Sequence, residues 1–186
     1  GKVIASLDGI EEVNFVAHSM GNLVLRHYLA DHTNAATGEK PDARIKRIVM
    51  LGPPNNGAQL AEALGGLDVF PKVVGPSGPQ LGRAWRELEP HLATPACEFG
   101  VIAGGRGKEK GYNPWLAGDN DLVVSVETTR LPGAADFAVL PVLHRVMMND
   151  EQVQAYTLRF LQSGYFISPE ARQPVNSASS SESTLR

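Results

Sequence analysis

One serine in this chain stands where a nucleophile could be made. Ser19 lies in Ala17-His18-Ser19-Met20-Gly21, after the strand formers Val13, Phe15 and Val16 and before Val24, Leu25, Tyr28 and Leu29, which recur at helical spacing. A strand that turns sharply into a helix lifts such a serine out of the sheet and sets it at the positive end of the helix. Ala17 and Gly21 read as small because a tight turn leaves no room for larger side chains beside neighbouring strands. A serine hydroxyl is a poor nucleophile at neutral pH. It needs a base to take its proton, and an imidazole base needs an acid to fix its tautomer.

The chain offers five histidines. His144 directly follows the apolar run Phe137–Val142, at the carboxyl end of an expected strand, the side on which parallel sheets place their sites. His18 adjoins Ser19 on a tight turn, where neighbours point in different directions, and is expected to shape the turn. His27 and His32 are carried away from Ser19 on or beyond the helix, and His91 sits in a stretch rich in glycine and proline. Asp119, Asp121, Glu127 and Asp136 lie between the apolar run Phe99–Gly104 and His144. Glu127 follows an apolar run and Asp136 begins the last strand, so Asp119 and Asp121 are the better-placed acids. Attack on a carbonyl also creates an oxyanion that needs backbone donors. The N–H of Met20, left free at the start of the helix, is the expected first one.

Three further stretches, Ile45–Leu51 with its apolar end Ile48–Leu51, Phe99–Gly104 and Phe137–Val142, read as buried strands. Strand and helix in succession imply parallel pairing with helices on the sheet faces. Lys2–Leu7 reads as the end of a helix with Asp8-Gly9 as its stop, and Ala58–Leu64 as a helical piece after the turn Gly52–Gly57. Residues 65–95 carry many glycines and prolines and short apolar patches, and read as a cap or lid of short helices. Asn149, with Gln152 three positions on, is the expected N-cap of a last helix whose apolar face is Val153, Tyr156, Phe160 and Leu161, stopped by Gly164. The expected division is one domain over residues 1–166 and a disordered, serine-rich tail over 167–186.

Composition narrows the function classes. With 186 residues and 42% hydrophobic content, one core of ordinary size is expected. A net charge of −3 and scattered basic residues give no field for nucleic acid. Cys97 is alone, so neither an internal disulfide nor a thiolate metal cluster can form. No run approaches the roughly 18 apolar residues of a membrane span. The chain opens on Gly1 within an apparent helix, and the expectation is that its natural N-terminus is missing, which leaves the cellular location and the oligomeric state open.

The Ala-x-Ser-x-Gly pentapeptide resembles the Gly-x-Ser-x-Gly nucleophile elbow of the α/β-hydrolase superfamily, in its bacterial lipase and esterase branch, with alanine for the first glycine. Gly52–Gly57 and the stretch from Val124 to His144 are similar to the same branch, so the resemblance covers most of residues 2–166. It implies an α/β fold with a mostly parallel sheet flanked by helices, lacking its first strands. The superfamily's order of serine, acid, histidine then selects His144, the one histidine beyond the acids. It favours Asp121 over Asp119, because Asn120-Asp121-Leu122-Val123 matches a turn in which glycine usually stands where Leu122 is. The implied triad is Ser19, Asp121 and His144, with Met20 in the oxyanion hole and the second donor in a loop before Gly1. The implied activity is hydrolysis of small-molecule or lipid carboxylic esters through an acyl-enzyme, without metal or organic cofactor, and contact with a lipid surface is left open. The same elbow suits thioesterases and acyltransferases, and a non-catalytic interaction module on a hydrolase scaffold is the remaining alternative. Loss of the early strands would leave the Ser19 strand with an apolar edge, and hence a weakly stable and little active chain.

Overall fold

The computed structural model describes residues 2–33, 41–56, 85 and 87–176. Four strands, β1 (Val13–His18), β2 (Ile45–Leu51), β3 (Glu98–Gly104) and β4 (Asp136–Leu140), form one parallel sheet in the order β1-β2-β3-β4. The helices that fall wholly among the described residues are α1 (Lys2–Ala5), α2 (Gly21–Asp31), α3 (Val126–Thr129) and α4 (Glu151–Ser163), with 3₁₀ segments at Glu89–His91 and His144–Asn149. The fold class is α/β, as the alternation of elements implies.

Side chains that alternate along a strand point to opposite faces, so a sheet covered on both sides needs strands that are apolar throughout. β2 meets this demand from Ile48 to Leu51. Ile48 and Met50 join Leu25 and Leu29 of α2, together with Phe99, Val101 and Ala103 of β3 and Phe137 of β4, in one core layer. Val49 and Leu51 point the other way, into a layer with Ile102, Leu140, and Val153 and Phe160 of α4. A third cluster joins Leu23 of α2 to the buried Trp85, with Met20, Leu88 and Leu92 against them. Trp85, Leu88 and Leu92 of this cluster belong to the stretch expected to form a cap. Residues 65–84 and 86 of that cap, and the helical piece Ala58–Leu64, lie outside the described residues. No described helix is long and apolar enough to cross a membrane.

Several boundaries differ from those expected. The first helix is a single turn, and Arg44 fixes the chain after it by donating to Ile4 O and Leu7 O. β4 begins at Asp136, as expected, but ends at Leu140 instead of Val142, because Pro141 has no N–H for the ladder and Val142 N–H turns back to Leu140 O. The N-cap of α4 is Asp150, not Asn149. Asn149 still belongs to the preceding 3₁₀ turn, whereas Asp150 is extended and its Oδ1 accepts from Gln152 N and Val153 N. Gly164 closes that helix in a left-handed conformation, as expected.

The expectation of a disordered tail from residue 167 is overturned for residues 167–176. Phe166 is buried against Phe160, and Val175 exchanges backbone hydrogen bonds with Gly133 (2.8 Å) and Ala134 (3.0 Å) while packing on the α2-side core. The carboxylate of buried Asp136 holds both ends of this segment. Its Oδ2 accepts from Phe166 N at 2.8 Å, and its Oδ1 accepts from Gln173 N and Phe137 N, each at 2.9 Å. A polar composition did not reveal this segment because backbone groups hold it. Residues 177–186 lie outside the described residues.

Removing the Asp136 carboxylate strands three backbone donors in or beside the core, and an unsatisfied buried donor costs about 1–3 kcal/mol. Asp136→Ala is therefore expected to lower the unfolding free energy by about 2–3 kcal/mol in urea titration. It is also expected to open the chain beyond Phe166 to limited proteolysis. An unchanged urea midpoint would show that the clamp contributes nothing.

Candidate active site

The carboxyl ends of the four strands supply the candidate site. β1 ends at His18, and Ser19 turns the chain with φ 53° before α2 starts at Gly21. A non-glycine residue at positive φ costs on the order of 1–3 kcal/mol and persists only where its surroundings over-determine it. Here Ser19 N donates to Leu51 O at 2.9 Å, at the end of β2. The side chain of Asn22, wholly buried, donates from Nδ2 to Ser19 O (3.0 Å) and to Leu51 O (3.4 Å). Asn22 thus ties the strained turn to the neighbouring strand. The reason expected for a small residue at Gly21 is not met, since a Cβ there has no neighbour within 4 Å among the described residues. Among the described residues Met20 N–H, at the N-cap of α2, has no acceptor.

His144 opens the turn after β4, and its ring reaches both partners that sequence order assigns to it. Nδ1 stands 2.7 Å from Asp121 Oδ2, and Nε2 stands 2.8 Å from Ser19 Oγ. A carboxylate oxygen accepts, so Nδ1 carries the proton and the Nε2 lone pair accepts from the serine hydroxyl. The backbone repeats the pairing, with His144 N donating to Asp121 O at 3.1 Å. The Asp121 side chain has no exposed surface, and the His144 side chain is 8% exposed. The other oxygen of Asp121, Oδ1, accepts from Val123 N (3.0 Å) and Val124 N (2.7 Å), so the carboxylate cannot turn away from the ring.

The structure separates the acids that the sequence leaves in competition. Asp119 directs its oxygens to the backbone N–H groups of Arg106, Gly107 and Asn120, and so braces its own loop. Glu127 is exposed and pairs with Arg130. Asp136 is the clamp on the chain after α4. The remaining histidines are likewise elsewhere: His27 pairs with Asp31, His32 contacts Tyr28 O, and exposed His91 lies beside His27. His18 is different, because it touches His144. Its Nε2 lies 3.0 Å from His144 O, and burial, followed by the neighbouring His144 ring, holds its pKa below the usual imidazole range.

Two glycines make room for the Asp121 and His144 side chains. A Cβ on Gly104, at the end of β3, would stand 2.7 Å from Asp121 Cβ and 2.5 Å from Val142 O. A Cβ on Gly52, just past β2 with φ 49°, would stand 3.1 Å from His144 Nδ1. Asn120, also wholly buried, completes the support. Its Oδ1 accepts from Asn113 N and Leu122 N, and its Nδ2 donates to Asn113 O and Gly118 O. In the sequence Asn120 stands out only as the neighbour of Asp121, and Asn22 does not stand out at all. A buried carboxamide leaves no trace in the pattern of apolar residues. Among the described residues no group of three His, Cys, Asp or Glu side chains is arranged to hold a metal ion.

Neither a family model nor a curated protein matches the sequence. Among solved structures, the crystal structure of Bacillus licheniformis lipase BlEst2 in mature form superposes with a TM-score of 0.52 at 19% identity, over 82% of this chain. The fold is α/β-hydrolase-like. The match spans 65% of the length of that lipase.

Leu122, the residue after Asp121, takes the left-handed conformation that favours glycine, φ 87°. The chain thus keeps the turn and carries its strain. Leu122→Gly is expected to raise the unfolding free energy by about 1 kcal/mol, because a left-handed non-glycine residue costs about that much and the Leu122 side chain is already 42% exposed. A lower urea midpoint would mean that Leu122 packs for more than its backbone strain.

Proposed function

We propose that the protein is a serine hydrolase that cleaves carboxylic esters through an acyl-enzyme. The observation that carries this reading is the continuous chain of hydrogen bonds from Ser19 Oγ to His144 Nε2 (2.8 Å) and from His144 Nδ1 to Asp121 Oδ2 (2.7 Å). Ser19 Oγ attacks the ester carbonyl carbon as its proton passes to His144 Nε2. Asp121 holds the resulting imidazolium in place, and Met20 N–H donates to the oxyanion. Collapse of the tetrahedral species breaks the bond to the alcohol oxygen, which leaves with the proton from His144. A water molecule, deprotonated by the same imidazole, then attacks the acyl-enzyme and releases the acid with Ser19 restored.

The substrate class rests on two supports. The fold resembles that of a Bacillus licheniformis lipase, and the residues beside the acid and the base include exposed apolar side chains, Leu122 at 42% and Val146 at 50%. An apolar small-molecule or lipid ester suits such a rim. A non-catalytic module would not require a serine and an imidazole within hydrogen-bond reach, so the 2.8 Å contact favours an enzyme. Transfer of the acyl group to an alcohol uses the same residues, and product analysis with a competing alcohol separates it from hydrolysis.

Ser19→Ala is expected to abolish labelling by a fluorophosphonate probe, and undiminished labelling would refute the assignment. Asp121→Asn leaves the contact with Nδ1 but offers the wrong partner for an N–H in one amide orientation. It is expected to lower kcat on p-nitrophenyl butyrate on the order of 10³- to 10⁴-fold with little change in KM. A loss below tenfold would remove Asp121 from the triad.

A further inference from the structure

We propose that His18, the residue before the nucleophile, is a positioning residue that holds the backbone of His144 against the elbow through its imidazole N–H. The proposal rests on the reading of His144 as the base for Ser19. His18 and His144 are 126 residues apart in sequence, yet His18 Nε2 lies 3.0 Å from His144 O. A carbonyl oxygen only accepts, so Nε2 carries a proton and donates. The two rings stand 4.7 Å apart between centroids and are tilted by 42°, so they also pack on each other.

The contact answers a geometric need. The peptide groups of His144 are gripped on the acid side by the bond from His144 N to Asp121 O at 3.1 Å. On the nucleophile side, the described bonds joining His144 to residues 17–22 are the catalytic contact itself, Ser19 Oγ to Nε2, and the bond from His18. The first must break and re-form as the proton moves. The second joins the backbone of the base to the residue adjoining the serine, and it stays made while the proton is in transit. Reacting groups must be held to within a fraction of an ångström, and a displacement of about 1 Å can cost about a hundredfold in rate.

The chemistry of His18 fits this role. The groups facing it are the His144 ring and, further off, the Asp121 carboxylate. Burial disfavours its charged form, and so does the His144 ring. Together they outweigh the His144 carbonyl and the Asp121 carboxylate, which favour the cation, so the balance leans toward a neutral donor that places no second positive charge beside an imidazole that must itself become cationic. A lysine or arginine could donate to the same carbonyl but would bring that charge.

Two variants separate the hydrogen bond from the bulk of the ring. His18→Phe keeps an aromatic ring and loses the donor, whereas His18→Gln presents an N–H at a reach similar to Nε2. On p-nitrophenyl butyrate, His18→Phe is expected to lower kcat by roughly ten- to a hundredfold with KM within about twofold, and His18→Gln to restore kcat to within about threefold of the parent. A second readout does not depend on turnover. The downfield proton resonance of the His144 Nδ1–H, identified by its absence in His144→Ala, is expected to broaden or shift in His18→Phe and to persist in His18→Gln. If the parent protein neither hydrolyses the ester nor takes a fluorophosphonate label, the ester reading fails alone, and the imidazole resonance still decides the role of His18. An unmoved resonance in His18→Phe overturns the proposal. So does equal loss of kcat in both variants with the resonance intact, since that outcome assigns His18 to the shape of the turn.

Discussion

A carboxylate with no exposed surface must find every donor it needs among its neighbours, and Asp121 finds three: Val123 N, Val124 N and His144 Nδ1. Much of the local structure serves that arrangement. The two amide donors come from the chain directly after the acid, so the backbone has to curl around its own side chain. It does so by putting Leu122 at φ 87°. Asn120 knits the outer side of the same loop, Asp119 ties its start to Arg106 and Gly107, and Gly104 leaves a space at the end of β3 that Asp121 Cβ fills. An unpaired charge in such a place would be strongly unfavourable. The loop is consequently organised around the acid before any question of substrate arises.

Strain in the described backbone is concentrated at the same place. The two non-glycine residues with positive φ are Ser19 and Leu122, the candidate nucleophile and the residue after the candidate acid. At about 1–3 kcal/mol each, these conformations need support from a well-packed scaffold. The scaffold is the parallel sheet, covered on both faces, with β2 and β3 carrying fully buried side chains in both layers. Local restraints finish the work, and at Ser19 they are the bonds to Leu51 O from its own N–H and from the Asn22 carboxamide. Stability sits in the middle of the sheet and strain at its carboxyl end.

The strands were legible because burial on two faces forces continuous apolar runs, and Ile48–Leu51 and Phe99–Gly104 announce themselves in that way. The elbow was legible because a strand, a small-residue turn and a helix follow one another within seventeen residues, Val13 to Leu29. Residues whose role depends on a partner far along the chain were not. The sequence marks Asp136 only as the first residue of a strand, although its side chain holds Phe166 and Gln173, and nothing local in the polar tail marks Val175 as a core contact. The displaced cap at Asp150 has a local cause, since Asn149 and Asp150 are both good capping residues and only the preceding 3₁₀ turn chooses between them.

Chain order also conceals how far the site is from being a simple row of loops. Ser19 follows β1, Asp121 follows β3 and His144 follows β4, so the candidate base leaves the sheet three strands from the candidate nucleophile, about 14 Å at the usual spacing. The four residues from Pro141 to His144 could span at most about that distance when extended, and they begin with a turn at Val142. The imidazole therefore has to lie back across the ends of the intervening strands. It passes over β2 at Gly52, the residue that a sequence reader assigns only to a turn, where a Cβ would meet Nδ1 at 3.1 Å. The glycine after β2, the glycine at the end of β3 and the histidine at the end of β1 are each unremarkable where they stand in the chain. Together they define the track along which His144 reaches Ser19, and that track exists only once the four strands lie side by side.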